Sequence, residues 1–466
     1  MGKTILRRAK TRKKRHIDRK KRREQQQRVQ GQIDEAIART VLSSIEQALR
    51  DEVSELLGRA KGERRDLADQ TVVEACCNRC HSQYRRQFYR GGYYSRTILT
   101  FEAWGEIEVP RLSCVCGGTV DFEFVHLVPY GRLWFDIEER ARELAGLCVS
   151  LRDSVEVLAW RNNQPLSIGT VNRLVNKAAD LAECFHGGAL ERVPGVVMLD
   201  GIWLKLLEGT GEWYTDQKGR RRERKKKRKF PLLVAYGVDP VSGERWLLDW
   251  EKGRDEDEES WRKLLERLLM RGLSSERGLE LFVHDGSAGL EKAFETVYFG
   301  VGVERQRCIF HKLRNVSRDI VGAEEMSRKE RQERRVEVMA DAAAVYEGKD
   351  EAEVRARLAA FGRKWAEKEP KAVATLERDF DRTLAYLTVL ERARRRGEEW
   401  RLECLRATSW LERVQRHFRQ KARQVAIFHS EKGVDAGIQL VISRRGLADS
   451  PAQFWARLLE EALLAA

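Results

Sequence analysis

Between Ile33 and Leu57 the chain places Ile33, Ile37, Val41, Ile45, Leu49, Val53 and Leu57 at every fourth position, with polar and charged residues between them. That spacing draws a slowly drifting apolar stripe along one helix, which a later helix or a second copy of the chain has to cover. From Thr71 to Pro129 the period shortens to that of β-structure, and RTILTFEAWGEIEVPRLS alternates like a hairpin around Gly105. Residues 135 to 186 return to a helical pattern, broken at Asn162-Asn163-Gln164-Pro165. Ser167 is placed to cap a following helix that carries Thr170, Asn172, Arg173, Asn176 and Lys177 on its polar side. A helix, a turn and a second, polar and basic helix form a known device for entering a major groove.

The texture changes again at Val196. Val196-Val197-Met198-Leu199 runs into Asp200-Gly201 and on through Ile202-Trp203-Leu204. After a basic loop at 220–229, FPLLVAYGVDPVSGERWLLDWEKG supplies two strands joined through Asp239-Pro240 and Ser242-Gly243, and EESWRKLLERLLMRG an amphipathic helix. Leu281 to His284 is the next strand and ends on Asp285-Gly286; a helix and a second short run lead to Cys308-x-x-His311. Three strands, a helix, another strand and a helix predict a mixed α/β layer. If the strands take a ribonuclease-H-like order, the first and fourth are neighbours, and Asp200 meets Asp285. Residues 317 to 400 read as almost entirely helical, with acids alternating with Arg and Lys as on solvated helix faces. A last basic helix follows, with Glu412 among Arg413, Arg416, Arg419, Lys421 and Arg423.

Charge adds a partner to this picture. The net charge of +15 is concentrated at residues 1–23, which carry +12, and at residues 220–229 (RRRERKKKRK), which carry +8, so the remainder is mildly acidic. Such blocks repel themselves and stay extended unless a polyanion neutralises them, and Lys and Arg contacts to phosphates supply most non-specific affinity for nucleic acid. The expected partner is double-stranded DNA, touched by Arg173 and Lys177 on the capped helix and by Arg220, Arg221, Arg222, Lys225, Lys226 and Lys227 in the basic loop. No run of apolar residues is long enough to span a membrane, and no apolar segment follows the basic N-terminus as in a secretory signal. A cytoplasmic, nucleoid-associated protein is expected.

Nine cysteines in a reducing compartment point to metal rather than disulfides. Cys77-x-x-Cys80 and Cys114-x-Cys116 sit on knuckles at either end of the expected hairpin, where four thiolates would hold Zn²⁺ tetrahedrally in a zinc ribbon. The second pair is one residue tighter than usual, and Cys76 and His81 stand by as substitute ligands. The bland alternative is a small β-module with ordinary buried thiols. Elsewhere, two aspartates brought together at strand ends are costly unless a cation holds them. Mg²⁺, or Mn²⁺ in its place, suits such oxygen ligands and supports in-line phosphoryl transfer. A third carboxylate is then needed from a helix beside the same sheet edge; Glu412, in the middle of its basic helix face, is either that ligand or a surface ion pair of little worth.

Asp200-Gly201, HDGSAGLEKAF with Asp285, QRCIFHKLRNV, and TSWLERVQRHFRQKARQVAIF, in this order, resemble the bacterial insertion-sequence transposases of the Mutator-like superfamily. The resemblance runs from about Val196 to Arg445. It implies a ribonuclease-H-like catalytic domain with an all-α insertion between the second aspartate and the glutamate, and a metal-binding triad of Asp200, Asp285 and Glu412. Cys308 and His311 match the family's Cys-x-x-His signature, and Arg413, Arg416 and Arg419 match its basic helix. The run before Glu412 reads Thr-Ser-Trp-Leu where many relatives carry an asparagine-containing run, and the basic loop at 220–229 maps to no family pattern. His311 is expected to pack beside the acids rather than to complete a zinc site, because two ligands are too few for one.

The chain therefore reads as a basic arm and helix (1–66), a zinc-ribbon-like module (67–132), a helix–turn–helix-like region (133–192), the first part of a catalytic domain (193–316), a helical insertion (317–400) and the last part with C-terminal helices (401–466). The expected reaction is metal-dependent cleavage at the element's ends and strand transfer into target DNA by a homodimer or larger assembly. Two rivals are a domesticated DNA-binding relative without catalysis and a nuclease of the same fold without strand transfer; turnover separates the first, joining of pre-cleaved ends the second.

Overall fold

The computed structural model describes residues 2–322 and 326–447, with side chains from residue 22 onward. The side chains of most of the basic stretch 1–23, and all of 448–466 at the end of the expected C-terminal part, lie outside that description. The chain divides into two units, one of residues 1–145 and 149–175, the other of residues 146–148 and 176–466.

The first unit opens on α1 (Gly2–Leu57) and continues through β1 (Cys76–Cys77), β2 (Phe88–Leu99), β3 (Trp104–Cys114), β4 (Val120–Asp121), α2 (Phe135–Gly146), α3 (Leu151–Ala159) and α4 (Ile168–Asn176). The basic stretch expected to stay extended is continuous with α1, since Lys and Arg are good helix formers and nothing interrupts them. The cover over the apolar stripe is a hairpin rather than a helix. Ile45 and Leu49 pack with Ile98, Ile107 and Val109, while Val53 and Leu57 pack with Phe88 and Leu112; Ile33 stays 45% exposed. The hairpin turns at Thr100–Ala103, not at Gly105, because the Thr100 hydroxyl accepts from the Ala103 N–H while the two backbones also bond. Gly105 instead pairs with Ile98, and a Cβ there would stand 2.6 Å from Leu42 Cδ1, so the glycine lets the helix approach the strand. The expected helical stretch 135–186 breaks at more places than Asn162–Pro165. Cys148 takes a positive φ, and Ser150 caps α3 by accepting from Asp153 N–H. Ser167 accepts from Thr170 N–H at the start of α4.

The second unit contains α5 (Ala178–Gly187), β5 (Val196–Thr215), β6 (Arg221–Val238), β7 (Arg245–Lys252), α6 (Glu258–Met270), β8 (Leu281–His284), α7 (Ala288–Val297), β9 (Glu304–Arg307) and α8 (Ile309–Asp319). Then come α9 (Arg328–Ala344), α10 (Glu351–Trp365), α11 (Pro370–Glu377), α12 (Ala385–Arg395), α13 (Glu403–Arg406), α14 (Ser409–Val425) and α15 (Glu431–Arg445). The five strands form one mixed sheet in the order β7-β6-β5-β8-β9, with β5, β8 and β9 parallel and β6 antiparallel to both its neighbours. Alternation along β5 and β6 feeds two cores. Val197, Leu199, Leu233 and Ala235 meet α6 and α7, while Val196, Met198, Leu232 and Val234 meet α8, α14, α15 and the helices of 328–395. Those helices are clamped to the sheet edge by Gln306, which donates to Thr383 O and accepts from Tyr386 N–H.

Apart from Arg220, which closes the turn, the basic segment 220–229 is not a loop but the first half of β6, which pairs with the far half of β5 in a two-stranded ribbon beyond the sheet. It forms because the ribbon carries its own acids: Arg220 and Arg222 bond Asp216, and Arg228 pairs with Glu208.

One buried charge anchors the sheet. Asp249 on β7 is fully buried and receives Arg267 at 2.8 Å, Arg271 at 3.0 Å and His186 at 2.5 Å. Replacing Asp249 by alanine leaves the buried Arg271 without its acid and Arg267 with Glu251 alone, so chemical denaturation should show a loss of about 3–5 kcal/mol.

Candidate active site

The site begins with strand register. Leu199 on β5 pairs with His284 on β8, so the residues that follow, Asp200 and Asp285, stand side by side where the pairing of the two strands ends. Each acid is fixed by the local backbone: Gly201 N–H donates to Asp200 at 2.9 Å, and Ser287 N–H to Asp285 at 3.0 Å. Gly286, which follows Asp285, has φ +92°, and a Cβ there would press on Arg307 at 2.8 Å. Gly286 N–H donates to Nδ1 of His284, and burial, then Arg305 and Arg307, pulls that histidine down to about 3, so it is a neutral acceptor.

From α14, Glu412 reaches the same place. One oxygen of Asp200, one nitrogen of His311 and one oxygen of Glu412 all lie within 4.8 Å of one another. Burial, then the neighbouring Asp285 charge, pushes Asp200 up to about 7; Glu412 adds to this, while Gly201 N–H and Gln415 oppose it. Glu412 Oε1 is buried without a hydrogen-bond partner, and His311 Nε2 stands 3.6 Å from it. His311 is held low by burial and then by Arg314, against the pull of Asp285 and Glu412, so a neutral nitrogen faces the acids. Three ligand atoms of this kind around an unbonded carboxylate oxygen fit a divalent cation, which relieves like-charge repulsion. Asp285 is beside this triangle rather than in it.

The Cys-x-x-His pair meets the glutamate helix across about one hundred residues. Cys308 Sγ lies 3.4 Å from Thr408 N and 3.5 Å from its hydroxyl, and the same hydroxyl is 3.5 Å from His311 Nδ1. Thr408 immediately precedes α14 and accepts from Glu412 N–H. Arg413, Arg416 and Arg419 are exposed on that helix, with Arg416 and Arg419 on the stripe of Glu412. Lys421, expected on the same basic face, is buried instead. Arg173 on α4 and Lys177 before α5 are exposed.

Sequence reasoning missed Glu256. Burial and then Asp285 raise its carboxyl, the Trp203 indole opposes that rise, and its Oε1 would lie 2.9 Å from a Cβ on Gly201. In the sequence it is hidden in an acidic run before α6, where Asp257 is the capping residue.

In the first unit, Sγ atoms of Cys77, Cys80, Cys114 and Cys116 lie within 4.8 Å of one another, with Cys77–Cys116 at 3.4 Å and Cys80–Cys114 at 3.6 Å. Four sulfurs at about 2.3 Å from one tetrahedral ion would be about 3.8 Å apart. The backbone N–H groups of Cys80 and Arg79 help bring the Cys77 thiol down to about 6, and burial pushes Cys114 up to about 12. Gly118 is required at this knuckle, since a Cβ would stand 2.7 Å from Cys77 Sγ. Cys76 turns to its neighbour's carbonyl, and neither it nor His81 joins the four.

The chain belongs to the Mutator family of transposases: the model described as "Transposase, Mutator family" matches residues 11–446. More particularly, it is of the bacterial insertion-sequence type, a DNA-processing enzyme. It is 25% identical over 392 residues to the transposase of insertion sequence element ISRM5 from Rhizobium meliloti, covering 84% of this chain and 82% of that one. It is 26% identical to the IS905 transposase of Lactococcus lactis over 50% of this chain and 53% of that one. With the IS406 transposase of Burkholderia multivorans it shares 32% over 42% and 45%. The matches thus span most of the first relative and about half of the other two. Among solved structures, the Drosophila P element transposase strand transfer complex aligns over 70% of this chain and 80% of that one, at 10% identity and a TM-score of 0.28. Among the described residues no helix is long and apolar enough to cross a membrane.

Proposed function

We propose that the second unit is a ribonuclease-H-like catalytic domain in which Asp200, Asp285 and Glu412 cut element ends and join the freed 3′-hydroxyl to target DNA. The observation that carries this is the side-by-side placement of Asp200 and Asp285 by strand register, with a Glu412 oxygen within 4.8 Å of an Asp200 oxygen and Glu412 Oε1 buried without a hydrogen-bond partner. The strand order, with β8 parallel beside β5, supports the fold assignment. Mg²⁺ or Mn²⁺ held by the three acids, when bound, supplies an activated oxygen nucleophile and charge stabilisation for the leaving oxygen. The chain's own contribution is to hold three carboxylates at fixed positions, two on strand ends and one on a helix. Exposed Arg413, Arg416 and Arg419 flank the site and bind phosphates of the end being cut.

Cys308 and His311 act on Glu412 through Thr408. With its N–H and hydroxyl directed at the buried Cys308 sulfur, Thr408 sets the first turn of α14, and His311 backs the glutamate. Thr408→Val should lower cleavage by about 10–100-fold, the range seen when a metal ligand loses its outer partner. Thr408→Ser should restore most of it, and end binding by either variant should stay at the wild-type level. Equal activity of valine and wild type would remove the clamp from the mechanism.

The four-cysteine cluster holds structural Zn²⁺, and the first unit, with Arg173, contributes DNA recognition. Pairing of two ends calls for a homodimer or larger assembly on DNA, in the cytoplasm at the nucleoid. The test of the function is incubation of the full chain and an end-bearing duplex with Mg²⁺ or Mn²⁺. Nicked and joined products are expected; binding without any product in either metal would instead support a non-catalytic DNA-binding protein.

A further inference from the structure

The ribbon made by the far half of β5 and the start of β6 has two unlike faces. Residues directly opposite in an antiparallel pair share a face, and alternate residues along each strand change face. On one face Leu206 lies opposite Arg228 and Glu208 opposite Lys226. Arg222, Arg224, Lys226 and Arg228 therefore share a face, and there Arg228 pairs with Glu208, Arg224 with Glu212 and Arg222 with Asp216. Their charges are largely answered inside the protein.

The other face is different. Lys205 lies directly opposite Lys229, Lys227 opposite Leu207, and Lys225 opposite Gly209. All four lysines are exposed. Lys205, Lys227 and Lys229 make no ion pair among the described residues, and Lys225 reaches only the carbonyl of His429. The acid on this face, Glu223, is turned to the backbone, where it accepts from Gly211 N–H. Like charges directly opposite destabilise a strand pair, so a lysine facing a lysine is poorly satisfied in the free protein and well satisfied by a polyanion. At about 3.4 Å per residue the stripe lies roughly 17 to 31 Å along β5 from Asp200, a length of about 5 to 9 base pairs of duplex.

Resting on the proposed transposase function, we infer that this lysine face holds the phosphate backbone of the target duplex. Lysines are point charges that position a duplex without reading it. That suits DNA accepted at any sequence, whereas the element end has to be recognised.

Lys225, Lys227 and Lys229 changed together to glutamine can be compared with Arg222, Arg224 and Lys226 changed together to glutamine, which removes the same charge from the opposite face. On a duplex of random sequence, the first variant should flatten the slope of log affinity against log salt by about 2 to 3, near 0.9 for each phosphate no longer neutralised, and the second by less than about 1. Joining of pre-cleaved ends into plasmid should fall on the order of tenfold in the first variant at moderate salt. Cleavage of element ends should stay within about twofold, because that duplex is held elsewhere. An unchanged slope, an equal effect of both variants, or end cleavage falling in step with joining would overturn the inference. A wild-type chain that joins nothing would contradict the proposed function instead, and the slopes on random duplex would still decide whether the lysine face binds DNA.

Discussion

Asp200→Asn is expected to lower end cleavage by roughly 10³-fold or more while raising the melting temperature of the protein in EDTA. The two effects have one cause. Burial first, then the charge of Asp285 and to a lesser degree that of Glu412, pushes the Asp200 carboxyl up to about 7. Without a cation, the folded protein bears the repulsion of Asp200 by Asp285 and Glu412; an amide of the same shape removes it. The same amide is a poor ligand for Mg²⁺ and cannot help neutralise charge developing on the transferring phosphoryl group. Metal assistance contributes several kcal/mol to such a transition state, and each 1.36 kcal/mol is tenfold in rate. Asp285→Asn and Glu412→Gln should lose comparable activity. A melting temperature that falls in EDTA would mean that Asp200 serves as a structural acid.

Removing zinc should be the largest effect on stability. The hairpin that carries Cys114 also buries Leu112 against Val53 and Leu57, so the knuckles and the helix share one small core. A core of this size gains much from a metal staple, and structural zinc binding is worth roughly 10–16 kcal/mol in small zinc domains. One Zn²⁺ per chain is expected by metal analysis. Cys80→Ser, or a strong chelator, should abolish that content and expose the first unit to proteolysis while the second unit keeps its folded signal. Full zinc occupancy in Cys80→Ser would show that the metal, if bound, sits elsewhere.

The strand-borne acids are legible in the sequence because a strand end marked by an apolar run and an Asp-Gly pair leaves little choice of position, and the neighbouring order of β5 and β8 does the rest. Glu412 is legible only through the resemblance, since acids and bases alternate on every helix around it. The place of His311 in the triangle, and the thiol bonds of Thr408, depend on contacts between segments about one hundred residues apart, which no local period reports. The ribbon reads as a loop for a related reason. Alternation is recognised when apolar residues carry it, and RRRERKKKRK contains none. Its pairing depends on acids at Glu208, Glu212 and Asp216 across the turn. The hairpin turn at Thr100 is likewise hidden, because a threonine hydroxyl closes it where a glycine two residues into the next strand attracts the eye.

The most direct measurement is single-turnover joining of pre-cleaved element ends to plasmid DNA in Mg²⁺, with wild type beside Asp200→Ala, Asp285→Ala and Glu412→Ala, and end binding measured in parallel. Wild type should join the ends in a metal-dependent reaction, and each variant should bind them yet yield no joined product; full joining by any of the three would contradict its place in the catalytic centre, and full joining by all three would remove the centre itself.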